Sequence, residues 1–404
     1  MTSVTIKTAN RIANVEEYYF SRKLAEVRGL DSPELRVINL GIGSPDQAPS
    51  PAAIQALTET AQDPGSHGYQ SYKGIPAFRE AIARFYNRVY QVELNPESMI
   101  LPLMGSKEGI MHISMAYVNP GDEVLIPDPG YPTYSSVANL VGASIRTYKL
   151  REDLNWGIDV DALRRQDLSK VKVMWVNFPH MPTGRVASRS ELKALVDLAR
   201  EFGFLLVNDN PYSLILNDDP VSLLSVEGAE DVALELNSLS KSHNMAGWRI
   251  GWVAGKKEFI DAVLTVKSNM DSGMFLGLQQ AAVSALDASG EDWFAELNAL
   301  YSRRKKIATE ILDLLGCTYA EQSGLFVWAK APTEVNDVER WIDEILYGTR
   351  VFITPGFIFG EGGRRYVRIS LCATEEKLKE ALDRLRRFQQ GWRVEDRKTV
   401  DTIK

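Results

Sequence analysis

Between residues 95 and 255, short apolar runs alternate with helix-type patterns, and this alternation limits the possible folds more than any other feature of the chain. Met99–Leu103, Glu123–Ile126, Val171–Asn177, Phe204–Asn208, Val232–Leu236 and Arg249–Ala254 read as strands. Several are mostly apolar, as strands covered on both faces of a parallel sheet must be. The segments between them carry helix signals. For Ser190–Phe202, Ser188 and Glu191 form a capping-box pattern. Leu192, Leu195, Leu198, Ala199 and Phe202 make its apolar face, and Gly203 ends it. The pattern predicts an α/β fold, a mostly parallel central sheet with helices on both faces.

From about Gly290 the texture changes. A long amphipathic pattern, Trp293–Leu315, precedes strand-like Leu325–Ala329 and Tyr366–Leu371. A closing helix near Glu375–Phe388 presents Leu378, Leu382, Leu385 and Phe388 on one face. A second, smaller α+β domain is expected. The boundaries predicted are 1–47 for an N-terminal arm and part of the small domain, 48–289 for the large domain and 290–404 for the small one. The polar end, Arg393–Lys404, reads as a tail.

Charge and composition exclude several classes of function. A net charge of −7 with no Lys/Arg block argues against a nucleic-acid partner. No apolar run reaches membrane length, and Met1–Phe20 has no signal-peptide pattern, so a cytoplasmic protein is expected. Cys317 and Cys372 are too few for a disulfide framework and read as buried thiols. His67, His112, His180 and His243 lack metal-ligand spacing, so no metal is expected.

The chemistry concentrates at Ser238-Leu239-Ser240-Lys241-Ser242, followed by Gly247-Trp248-Arg249-Ile250-Gly251. Lys241 sits just past an apolar run, among small hydroxyl residues, with a second cation eight positions on. Small neighbours leave room for a ligand, and hydroxyls donate to anionic oxygens. A lysine so placed can form a Schiff base with an aldehyde and then act as a general base. Gly105-Ser106-Lys107 joins a strand to a helix start, where unpaired N–H groups and the helix dipole suit a phosphate. The dipole contributes about 0.3–2 kcal/mol, so direct donors such as Ser238, Ser240 and Arg249 must supplement it.

The pattern S-x-S-K, then seven residues, then R-x-G, closely resembles the lysine motif of the class I/II, fold-type-I pyridoxal-phosphate-dependent aminotransferases, and the resemblance runs from about residue 36 to 390. It implies a transaminase that moves an amino group from an L-amino acid to a 2-oxo acid by a ping-pong mechanism through a Lys241 aldimine. Asp209 and Tyr212 match the family's D-x-x-Y pair, whose carboxylate protonates the cofactor's ring nitrogen and whose hydroxyl bonds its phenolic oxygen. By the same resemblance Tyr131 stacks on the ring. Tyr69 reaches the phosphate of a neighbouring subunit, which implies a homodimer with shared active sites. Arg368 clamps the substrate carboxylate with Gly43 as a backbone donor. The opening segment (Arg11-Ile12 through Tyr18-Tyr19-Phe20) and Leu40-Gly41-Ile42-Gly43 resemble the LL-diaminopimelate and alanine-type subgroup.

One departure stands out. Met181-Pro182-Thr183-Gly184 replaces the family's N-P-T-G, and methionine cannot donate the missing hydrogen bond to the phenolic oxygen. Either Asn177 or His180 compensates, or Tyr212 serves alone and the aldimine pKa rises. No second arginine for a dicarboxylate side chain is visible, so a neutral or broad amino donor is expected. The alternatives are a C–S β-lyase on the same scaffold and a regulatory, non-catalytic aminotransferase-like domain.

Overall fold

The computed structural model describes residues 6–13 and 19–391; the Arg393–Lys404 tail and Tyr18 of the opening segment lie outside them. The strands in chain order are β1 (Ile38–Asn39), β2 (Ile100–Leu103), β3 (Glu123–Asp128), β4 (Ser144–Arg151), β5 (Gly157–Ile158), β6 (Val171–Val176) and β7 (Leu205–Asp209). They continue with β8 (Ala233–Ser238), β9 (Gly251–Gly255), β10 (Phe326–Lys330), β11 (Val351–Phe352), β12 (Thr354–Pro355) and β13 (Tyr366–Ser370).

The large sheet has the order β2-β9-β8-β7-β6-β3-β4-β5. Its centre, β4 through β8, is parallel. β9 runs antiparallel to both β8 and β2, so β2 points the same way as β8. The C-terminal ends of β2, β3, β6, β7 and β8 therefore share one edge. From β3 the chain moves to β4 on one side and returns to β6 on the other. Ligands bind open α/β sheets at such a switch point, beyond the carboxyl ends of the strands.

Burial explains the apolar runs. In β6, Val173 and Trp175 pack in one cluster with Ile110, Ile113, Ile260 and Val263 from helices Ser106–Tyr117 and Lys257–Lys267. Met174 and Val176 enter the cluster on the other face with Leu192, Leu195 and Val196 of helix Arg189–Phe202. Successive side chains point to opposite faces, so a doubly covered strand must be apolar at every position. The capping box at Ser188 and the left-handed Gly203 cap bound that helix as expected.

Two expectations needed correction. The last strand begins at Gly251, not Arg249, because Arg249 adopts φ +57°, a left-handed conformation that leaves the strand. β4 was not anticipated. Only Tyr148 and Leu150 of its eight residues are buried, so its apolar signal is thin.

The smaller sheet is antiparallel, with β13 between β10 and β12. β1 pairs in parallel with β11, tying Ile38 to Val351 across most of the chain. Arg368, in the middle of β13, lies opposite Trp328 and Thr354. Among the described residues, no helix is long and apolar enough to cross a membrane.

Candidate active site

A cleft of about 500 Å³ opens at the carboxyl edge of the large sheet and reaches Arg368 on β13. It is lined by Gly43, Ser106, Lys107, Tyr131, Asp209, Tyr212, Ser238, Ser240, Lys241, Arg249 and Arg368. Of the residues singled out from sequence, Gly105 and Tyr69 are not in this lining. Tyr69 is 94% exposed on the surface.

Lys241 belongs to a short helical turn, Leu239–Ser242, that follows β8 and is capped by Ser238 Oγ accepting from Ser240 N. Its Nζ donates to the carbonyl of Gly43 at 2.5 Å. Burial, first, and the nearby Arg368 and Arg249 cations hold the amine below the usual lysine range, against the opposing pull of Cys372 and Asp209.

Asp209 ends β7 and is buried. Its Oδ2 accepts from Tyr134 Oη at 3.1 Å, while Oδ1 is buried without a hydrogen-bond partner. Burial pushes the carboxyl up to about 6, with Tyr134 and Lys241 pulling the other way. Tyr134 is fixed by stacking on Trp175, with centroids 5.2 Å apart, and Tyr131 meets it edge-on at 5.6 Å. Asn177 Nδ2 donates to the backbone carbonyl of Asp209. A buried carboxylate oxygen without a donor is costly, and a cationic ring N–H is the kind of group that would satisfy it.

At one end of the cleft, Gly105 precedes helix Ser106–Tyr117 with φ +87°, and no side chain caps the helix. A Cβ on Gly105 would fall 2.2 Å from Arg249 Nη2, so glycine here makes room for the guanidinium. Ser238 Oγ lies 2.8 Å from Ser240 Oγ. Uncapped N–H groups, two hydroxyls, Lys107 and Arg249 together form an anion cradle.

At the other end, the Arg368 guanidinium lies between the rings of Phe326 and Phe359, at 3.9 and 4.7 Å from their centroids. Its Nη2 donates to Gly41 O at 2.7 Å, and its Nη1 to Met181 Sδ at 3.2 Å. The loop carrying Phe359 is tied to the Tyr131 loop by Gly130 N donating to Phe359 O and by Gly362 N donating to Asp128 Oδ1. The amine, the unpartnered carboxylate oxygen and the anion cradle fit the aldehyde, ring nitrogen and phosphate of pyridoxal phosphate.

The structure narrows the alternatives raised by Met181. Asn177 is committed to the Asp209 carbonyl and to Met181 N. His180 Nδ1 lies 2.8 Å from Thr183 Oγ1, and His180 is not in the cleft lining. Tyr212 does line the cleft. The sequence reading missed Tyr134, Phe326 and Ile358. Tyr134 had one available signal, its position one helical turn beyond Tyr131. Away from the cleft, Glu108, His112 and Asp271 cluster, but Lys267 Nζ already pairs with both Asp271 oxygens at 2.5 and 2.6 Å.

The profile of a family described as aminotransferase class I and II matches residues 36–385. LL-diaminopimelate aminotransferase of Halothermothrix orenii is 37% identical over 384 residues, covering 94% of this chain and 98% of that protein. The enzyme of the same name from Aquifex aeolicus is 40% identical over 359 residues, covering 87% and 92%. The structure of substrate-bound BacF from Bacillus subtilis superposes with a TM-score of 0.89 at 34% identity, covering 95% and 98%.

Proposed function

The chain belongs to the aminotransferase class I and II family, and from that premise we propose the part each residue of its cleft plays. It is a pyridoxal-phosphate-dependent transaminase acting on an amino acid and a 2-oxo acid. Bound pyridoxal phosphate supplies an electron-withdrawing ring that accepts the electron pair left at the donor's Cα, and it carries the amino group between two half-reactions. In our reading, Lys241 anchors the aldehyde. Its free Nζ would take the Cα proton and give it back as the site's acid, with the bound cofactor supplying the carbon that receives it. Burial supports this role, because a desolvated lysine is more readily neutral and only the neutral amine is a base.

With pyridoxal phosphate bound, Asp209 Oδ1 would hold the proton of the ring nitrogen, and Tyr131 and Tyr212 would hold the ring and its phenolic oxygen. Gly105 and the first turn after it, with Ser106, Lys107, Ser238, Ser240 and Arg249, hold the phosphate. Arg368 and the Gly43 N–H receive the substrate carboxylate. Tyr69 serves the phosphate of a second copy in a homodimer. Its 94% exposure supports an outward role, as does the exposure of neighbouring Tyr72 at 46%.

The observation that carries this reading is that Lys241 and Asp209, whose Oδ1 has no hydrogen-bond partner, line one cleft. Replacing Lys241 with Ala should abolish transamination and the absorption band of lysine-bound cofactor together. Survival of either would overturn the assignment. The C–S β-lyase alternative finds no support among the relatives compared. Two of them are named for LL-diaminopimelate, which makes that compound one candidate donor.

A further inference from the structure

Arg368 and Asp209 stand on different sheets, and an unbroken set of contacts joins them through position 181. Arg368 Nη1 donates to Met181 Sδ at 3.2 Å. Met181 N donates to Asn177 Oδ1 at 2.7 Å, and Asn177 Nδ2 donates to the carbonyl of Asp209. Each link lies within one chain, and Met181, Asn177, Asp209 and Arg368 are all buried. The loop around Met181 is held at two further points, Phe178 N donating to Asn208 Oδ1 and Gly184 N donating to His180 O. The thioether thus reaches from a pinned loop of the large sheet to a guanidinium of the small one.

Phe326 and Phe359 confine the guanidinium by packing, which sets no direction for its N–H groups. Hydrogen bonds do set one, and the sulfur and the Gly41 carbonyl take one Nη each. A thioether is a weak, uncharged acceptor, so it can orient a cation without competing with a carboxylate for its charge. Each Nη carries two N–H groups, so both contacts can coexist with a forked carboxylate. The side chain that offers the cofactor no donor therefore offers Arg368 an acceptor.

Building on the transaminase reading above, we infer that Met181 is a positioning residue of the substrate-carboxylate site. Its sulfur aims the Arg368 fork, and its backbone, through Asn177, ties that aim to the end of the strand that carries Asp209. Its action falls on substrate binding and leaves the phenolic oxygen of the cofactor untouched.

The test uses the holoenzyme and two variants. Met181→Leu keeps the volume and loses the acceptor, whereas Met181→Gln restores an acceptor at similar reach. Half-reactions are followed by the cofactor spectrum, with whichever amino acid the unaltered protein converts fastest. Met181→Leu should raise the half-saturating concentration about three- to tenfold. The maximal rate should stay within about twofold, because the carboxylate is bound alike in ground and transition states. In calorimetry, butanoate should bind Met181→Leu about three- to tenfold more weakly than the unaltered protein. Met181→Gln should recover most of both losses, and the pH-dependent absorption of the bound cofactor should not move in Met181→Leu. Unchanged binding in Met181→Leu, a loss confined to the maximal rate, a shifted absorption titration, or a Gln variant no better than Leu overturns the inference. If no amino acid converts the cofactor, the transaminase reading fails instead, and butanoate still decides the role of Met181. Failure of butanoate to bind the unaltered protein would remove the carboxylate site and the inference with it.

Discussion

The two ends of the cleft both offer a cation to an anion, yet they are built in opposite ways. At the Gly105 end the cations are exposed, and backbone N–H groups of a helix start stand beside them. At the β13 end one guanidinium is buried between two aromatic rings with a backbone carbonyl as acceptor. An exposed site shares its ligand's charge among many weak donors and is screened by salt. A buried site concentrates the interaction in one fork, where Coulombic attraction is stronger and loss of the partner is more damaging. The difference suits the proposed ligands: a resident phosphate can be held by many contacts, whereas a substrate carboxylate must be recognised in each turnover.

The most direct way to break this contrast is Arg368→Ala. Removing a buried, desolvated cation costs about 2–5 kcal/mol of carboxylate binding, so kcat/KM for amino acids should fall on the order of 10²–10³-fold. Steady-state kinetics would show it, and a fall below tenfold would remove the buried clamp from the scheme.

Between the two ends lies Asp209, which links the site to stability. The unfolded chain ionises this carboxyl near 3.8, whereas the folded, cofactor-free protein keeps its proton up to about 6. Its contribution therefore favours folding below pH 3.8 and is lost as pH rises through 6. That span corresponds to about 3 kcal/mol. Denaturant titrations of the cofactor-free protein should show this decline, and Asp209→Asn should flatten it. A parallel decline in the variant would mean another group is responsible.

Arg249→Ala should act more gently, because the site has several other donors. Cofactor affinity should drop about tenfold, and the difference from the unaltered protein should shrink as salt is raised. A salt-independent loss would contradict the exposed character of that end. The smallest effect is expected from Met181→Asn. An added donor to the phenolic oxygen should move the pH-dependent absorption of the bound cofactor downward by less than about one pH unit. An unchanged titration would show that Tyr212 already suffices.

Much of this was legible in the linear chain. β6 and β7 are covered on both faces, so their apolar runs announced them, whereas β4, with two buried residues, left no comparable trace. Lys241 and Arg249 lie within a few residues of a strand and Asp209 ends one, which is what drew attention to them as candidates. Tyr134 was not among them. Its spacing from Tyr131 was a weak hint, but its role depends on a 3.1 Å approach to a carboxylate 75 positions away, which that spacing does not reveal.

Local sequence fixed the elements and the kinds of reactive group, since period, capping and apolar runs act over one or two turns of chain. Long-range packing alone decided what those groups meet. It placed the Gly41–Gly43 carbonyls against Arg368, Ser370 and Lys241, and it enclosed Arg368 between Phe326 and Phe359. It also left one oxygen of Asp209 without a donor. Desolvation and hydrogen-bond partnership are properties of three-dimensional neighbours, so the electrostatic character of the cleft arises only when the two sheets come together.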